Sequence, residues 1–133
     1  MDADEENTIA ERIAIIGAGS IGRAFALVFA NAGFEVRLCE ADASVRKAAL
    51  DRIAASVADL KAFDLCGRDV DAIISRISAS GDLAEPVRDA NHVQECVPED
   101  LELKQQLFRD LELLAPASAV LASSSSAIPA SQI

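Results

Sequence analysis

The stretch Ile13-Ala14-Ile15-Ile16-Gly17-Ala18-Gly19-Ser20-Ile21-Gly22, then a helical run to Gly33, then Glu35-Val36-Arg37-Leu38-Cys39-Glu40, decides the fold. Its first four residues are apolar and rich in isoleucine, the pattern of a short strand covered on both faces. Three glycines spaced G-x-G-x-x-G follow at once, and a helical pattern follows them. Such spacing is a weak signal alone. It becomes specific between a strand and a helix, with an acid closing the next strand. Gly17 allows the tight turn out of the strand, Gly19 leaves the backbone bare for a close pyrophosphate, and Gly22 lets the helix lie near the strand.

The helix start, with Ala18, Ser20 and Ile21 between the glycines, offers unpaired N–H groups and a partial positive charge to a dianion. Glu40 stands eighteen residues past Gly22, near the roughly 20-residue spacing of the carboxylate that holds the ribose hydroxyls. A carboxylate there repels a 2′-phosphate, and Ala41 supplies no arginine to offset it, so the expected cofactor is NAD rather than NADP. The alternative is a glycine-rich strand–helix turn without a ligand.

The 133 residues suit one domain. The net charge of −10 excludes a phosphate-tracking nucleic-acid binder. It does not exclude an anionic cofactor, because exposed charges are screened beyond about 8 Å while a helix terminus acts at contact distance. Cys39, Cys66 and Cys96 lack C-x-x-C spacing, so no metal site or disulfide framework is implied. Cys39 and Cys96 fall in expected strands, as buried reduced thiols, and a cytoplasmic setting fits. Met1–Thr8 is polar and acidic, a disordered lead-in unlike a targeting signal. No apolar run is long enough for a membrane span.

In chain order, strands are expected near 12–16, 35–39, 77–80, 92–97 and 119–122. The first helix, near 21–31, is expected to face the core with Phe25, Val28 and Phe29, and to stop at Gly33. A two-helix excursion follows strand two, with an apolar stripe at Val45, Ala49, Ile53, Val57 and Leu60. It is either crossover packing or an arm that touches substrate. Pro86 opens a brief helix. Pro98 opens a longer one whose core side is Leu101, Leu107, Phe108, Leu111 and Leu114, with Glu99 in its first turn. Pro129 starts a last helical piece. The fold class is therefore α/β, a Rossmann-type doubly wound parallel sheet over residues 9–133.

Two further segments carry a resemblance. His92-Val93-Gln94-Glu95-Cys96-Val97-Pro98-Glu99-Asp100-Leu101-Glu102-Leu103-Lys104 is similar to the V-x-E-x-x-x-E-x-x-x-x-K segment of the 3-hydroxyacyl-CoA dehydrogenase family. Ala122-Ser123-Ser124-Ser125-Ser126 resembles that family's A-S-[NS]-[TS]-S segment. The wording is nearest the subgroup that contains lambda-crystallin, L-gulonate 3-dehydrogenase and carnitine dehydrogenase. The resemblance implies that Glu99 and Lys104 line the nicotinamide and ribose side of the NAD site. It also implies that Ser126 hydrogen-bonds the hydroxyl of a small-molecule substrate. Plainer readings are a first-turn carboxylate for Glu99, a solvated lysine for Lys104 and a loop or capping serine for Ser126.

The family's catalytic histidine and its glutamate partner lie beyond the serine segment, followed by a helical substrate and dimerisation domain. Ile133 precedes all of these, and His92 is no substitute, so the chain alone is expected to lack turnover. The sheet is then expected to be incomplete at its C-terminal edge. The intact enzyme would be a homodimer, and the fragment would self-associate through the bare fifth strand, unless the C-terminal tail covers that strand. Two function classes follow: the NAD-binding portion of an oxidoreductase acting on a 3-hydroxy acid or its CoA thioester, or a non-catalytic dinucleotide-binding module, such as a redox sensor or a crystallin-like structural protein. The Glu99–Lys104 and serine segments oppose a third class, the cofactor domain of another Rossmann dehydrogenase.

Loss of a charged hydrogen bond to the ribose should weaken binding roughly tenfold. Glu40→Ala is therefore expected to weaken NADH binding and narrow its advantage over NADPH, read by titration of the cofactor's own fluorescence.

Overall fold

The computed structural model describes residues 11–133, so the lead-in expected at residues 1–8 lies outside the described residues. Strand β1 (Arg12–Ile16) is central, and Ile13 to Ile16 are all buried because the sheet is covered on both faces. Strands β2 (Glu35–Cys39), β3 (Ile77–Ser80), β4 (His92–Glu95) and β5 (Val120–Ser123) join it in one parallel sheet of order β3-β2-β1-β4-β5. This is the doubly wound order, with its switch point between β1 and β4.

Helices α1 (Ser20–Asn31), α2 (Ala43–Ala62) and α3 (Val70–Ser75) cover one face. Helices α4 (Ala84–Val87) and α5 (Leu101–Leu114) cover the other. The excursion after β2 is crossover packing, since Ala49, Ile53, Val57 and Ile73 share one core with Ile13, Ile15 and Leu38.

Helix α1 departs from its expected orientation. Gly22, Ala26 and Ala30 are the buried residues, while Val28 is exposed. A helix this close to a sheet has room only for small side chains along the contact line, which pushes the bulky ones to its flanks. Gly22 shows how close the approach is, because a Cβ there would collide with the Gly17 carbonyl oxygen. Phe25 and Phe29 pack at the flank, stacked with ring centroids 5.9 Å apart.

Strand register aligns the carboxyl ends in one row across the sheet, Ser80, Cys39, Ile16, Glu95 and Ser123. The ladder continues one residue further. Glu40 N–H donates to Ser80 O, Gly17 to Cys39 O, Cys96 to Ile16 O and Ser124 to Glu95 O, at 2.8–3.0 Å. Glu40, Gly17, Cys96 and Ser124 are thereby fixed in a second row.

The α5 boundary also differs from expectation. Its N-cap is Asp100, whose side chain accepts from Leu103 N–H at 2.9 Å. An aspartate caps better than the residues before it, so Pro98 and Glu99 stay outside the helix. On its core side Lys104, Leu107 and Leu111 are buried, while Leu101 and Leu114 are partly exposed. The C-terminal residues form a single 3-10 turn (Ala130–Gln132), tied to α5 by Gln105 Nε2 donating to Gln132 O at 2.7 Å. That turn adds no strand to β5, which pairs only with β4 among the described residues and leaves Val120 56% exposed.

Truncating a fully buried leucine removes its burial energy and leaves a cavity. Leu111→Ala is expected to cost about 2–5 kcal/mol in urea denaturation. Leu113→Ala, on the exposed side of the same helix, should stay within about 0.5 kcal/mol.

Candidate functional site

A cleft of about 1120 Å³ opens along the carboxyl ends of β1, β2 and β4. Its floor is the second row of residues described above, and its centre is the amino end of α1. Gly17 leaves β1 with φ of +105°, and a Cβ there would stand 2.6 Å from the Cys96 carbonyl oxygen. That turn aims the loop Ala18–Ile21 into the cleft. The N-cap of α1 is Gly19, with φ of −70°, and no side chain caps the helix and no acid occupies its first turn. A Cβ on Gly19 would meet nothing within 4 Å. The helix mouth is therefore open, with backbone donors facing free space, and fits the pyrophosphate of a dinucleotide.

Glu40 lies at one end of the cleft. Its Oε2 accepts from Ala18 N–H and its Oε1 from Asp42 N–H, both at 3.3 Å. These long bonds turn the carboxylate toward the glycine loop and leave lone pairs for further donors. Arg46 lies nearby, but it does not line the cleft. Its Nη1 donates to the carbonyls of Glu40 at 2.6 Å and Ala41 at 3.3 Å, so it braces the end of β2 from behind.

At the other end stand Cys96, Pro98, Glu99, Ser124 and Ser126. Glu99 Oε1 lies 3.2 Å from Lys104 Nζ, and its Oε2 accepts from Ala127 N–H at 3.3 Å. The neighbouring Ser125 hydroxyl, the Lys104 ammonium and the Ala127 N–H hold this carboxyl below the usual carboxylate range. The Ser125 hydroxyl does so without closing a bond of good geometry. Contact with Lys104 and Ala127, rather than a place in the first turn of α5, positions Glu99.

Lys104 sits elsewhere than on the cleft wall. Its side chain is 1% exposed, beneath the cleft, where it ion-pairs with Glu95 Oε2 at 2.7 Å and donates to Val97 O at 3.2 Å. Glu99 adds an ion-pair contact at 3.2 Å, so the ammonium faces protein acceptors on every side. It is neither a solvated lysine nor a lysine free to reach a ligand. Glu95, which the sequence reading did not single out, is 0% exposed. It accepts from Lys104, from Val97 N–H at 2.7 Å and from Ser123 Oγ at 2.6 Å. A signal for it existed. A glutamate at the end of an expected interior strand and a lysine on the apolar stripe of the next helix are opposite charges at two buried positions.

Cys39 and Cys96 also face the cleft. Burial pushes the Cys39 thiol up to about 11 and raises Cys96 as well, against the opposing hydrogen bond from Ser124. Neither is poised as a nucleophile. The lone histidine, His92, starts β4 at the end of the strand opposite the cleft, against Phe29. Among the described residues no cluster of metal-ligating side chains occurs, and no helix is long and apolar enough to cross a membrane.

Comparison with known proteins places the chain in a family and a fold. The profile described as 3-hydroxyacyl-CoA dehydrogenase, NAD binding domain, matches residues 12–133. Lambda-crystallin homolog of Bos taurus is 38% identical over 91% of this chain and 38% of its own length. L-carnitine dehydrogenase of Streptomyces griseus is 37% identical over 89% of this chain and 34% of its own. The chain thus spans about two-fifths of the length of such relatives. Among solved structures, FadB2 of M. tuberculosis superposes with a TM-score of 0.86 at 30% identity, over 92% of this chain and 44% of that one. The 3-hydroxybutyryl-CoA dehydrogenase of Escherichia coli gives 0.85 at 26% identity, over 92% and 26%.

Removing one partner of a buried ion pair leaves the other charge uncompensated. Lys104→Met is expected to cost about 3–5 kcal/mol, and adding Glu95→Gln should recover part of that loss. Urea denaturation of the two single variants and the double variant checks both expectations.

Proposed function

Because this chain belongs to the 3-hydroxyacyl-CoA dehydrogenase family, as its NAD binding domain, we propose that it is the cofactor half of a 3-hydroxy-acid oxidoreductase. In the whole enzyme a hydride would move between C3 of a 3-hydroxy acid, or its CoA thioester, and NAD. The observation that carries this reading is the open, uncapped amino end of α1 between two carboxylates, Glu40 and Glu99.

Each residue then has a task. The backbone of Gly17, Ala18, Gly19, Ser20, Ile21 and Gly22 receives the pyrophosphate, and Glu40 holds the adenosine ribose. Cys96, Glu99 and Ser126 border the nicotinamide riboside, and Lys104 orients Glu99 from below. The bound cofactor supplies the hydride acceptor. Ser126, exposed at the rim, donates to or accepts from the substrate hydroxyl. Removing that hydroxyl's proton requires a general base, worth about 10²–10⁴ in rate. His92 cannot act as that base. It lies four residues back along β4 from Cys96, roughly 13 Å at a strand rise of about 3.3 Å. On this reading the whole enzyme supplies the base and most of the substrate contacts, and the chain by itself is expected to lack turnover. The same reading makes the whole enzyme a homodimer, and makes β5 the edge through which the 133-residue chain alone self-associates.

NADH fluorescence is expected to show saturable binding to the 133-residue chain. Gly19→Ala should leave the melting temperature within about 2 °C, since no atom opposes the added methyl, yet weaken binding at least tenfold by standing where the pyrophosphate must approach. No binding by the unaltered chain, or undiminished binding by the variant, would remove the proposal.

A further inference from the structure

We propose that Glu99 sets the cleft's preference between oxidation states of its ligand, favouring the oxidised dinucleotide through the net negative charge of the cluster it forms with Glu95 and Lys104. This rests on the dinucleotide reading above and adds to it a specificity that the family assignment does not contain.

Glu95, Glu99 and Lys104 form one cluster with two carboxylates and one ammonium. The ammonium lies closer to Glu95, at 2.7 Å, than to Glu99, at 3.2 Å. Glu95 is fully enclosed and takes the hydrogen bond from the ammonium, so the larger share of the cation goes to it. The excess charge therefore resides on Glu99, whose side chain is 42% exposed and borders the cleft. Nothing in the cleft wall cancels it. The other ionisable groups there are Glu40 at the far end and the thiols Cys39 and Cys96, and no Lys, Arg or His lines the cleft among the described residues.

A dinucleotide that crosses the α1 mouth with its adenosine ribose on Glu40 must place its second nucleoside at the Cys96–Glu99 end. A nicotinamide ring there is a cation when oxidised and neutral when reduced. Both oxygens of Glu99 already hold protein groups, Lys104 and Ala127 N–H, so Glu99 acts on that ring mainly through its charge. Attraction between partly exposed charges is modest. On the scale of such pairs, up to about 1 kcal/mol, the preference amounts to roughly fivefold.

The test measures affinities of the 133-residue chain for NAD⁺ and ADP-ribose by calorimetry and for NADH by fluorescence, in the unaltered protein and in Glu99→Gln and Glu99→Asp. Glu99→Gln is expected to weaken NAD⁺ about fivefold while NADH and ADP-ribose stay within about twofold. Glu99→Asp, which keeps the charge, should retain most of the preference, and high salt should erode it. Equal changes for NAD⁺ and NADH in Glu99→Gln, with ADP-ribose still bound, would overturn the inference alone. Failure of the unaltered chain to bind ADP-ribose would overturn the dinucleotide reading beneath it as well.

Discussion

The contact between Glu95 and Lys104 is the constraint on which the β4–β5 end of the cleft depends. It joins the last residue of β4 to the first turn and a half of α5, with both side chains out of water. Such a pair is poor evidence of net stability, because desolvating two ions costs about as much as their attraction returns. Its value here is geometric. The Glu95 carboxylate holds the Val97 N–H and the Ser123 hydroxyl along with the lysine. It thereby sets the course of two separate loops, 96–99 and 123–126, that form one wall. A hydrophobic pair of similar volume could fill the space, but it would aim neither loop.

The opposite end of the cleft is built differently. The glycine turn at 17–22 and the acid at Glu40 depend on backbone geometry and strand register, with no buried ion pair to aim them. The helix mouth suits an anionic ligand although the chain carries a net charge of −10. The local dipole acts over a few ångströms, while the distant acids are screened by salt. The acids at either end, Glu40 and Glu99, are neutralised differently. Glu40 has only backbone N–H partners, whereas Glu99 shares part of a buried cation. One cleft thus carries two carboxylates in unlike surroundings, suited to a ligand whose two halves differ in charge.

Much of this was legible in the chain. The apolar run at Ile13–Ile16, the spacing of Gly17, Gly19 and Gly22 and the place of Glu40 are local patterns, each settled within a few residues. The helix stop at Gly33, with φ of +102°, belongs with them. Where the reading missed, a neighbour distant in sequence decided the outcome. Val28 lies on an apolar side of α1 by periodicity, yet the closeness of the sheet reserves the contact line for Gly22, Ala26 and Ala30. Glu99 stands one residue outside its expected helix because the side chain of Asp100 competes for the cap. Lys104 is expected on the nicotinamide side of the cleft or, more plainly, in solvent, and only its place on the stripe with Leu107 and Leu111 hints at its burial.

By itself, then, the sequence determined the α/β class, the turn that opens the cleft and the acid that closes β2, since strand, turn and cap chemistry act over short stretches of backbone. Tertiary structure alone decided that Glu95, Lys104 and Ser123 meet, and so where Glu99 points. That meeting depends on the β1–β4–β5 register and on how α5 lies across it. Residues separated by up to 28 positions come within hydrogen-bond reach there, and no pattern read along a single segment specifies that distance.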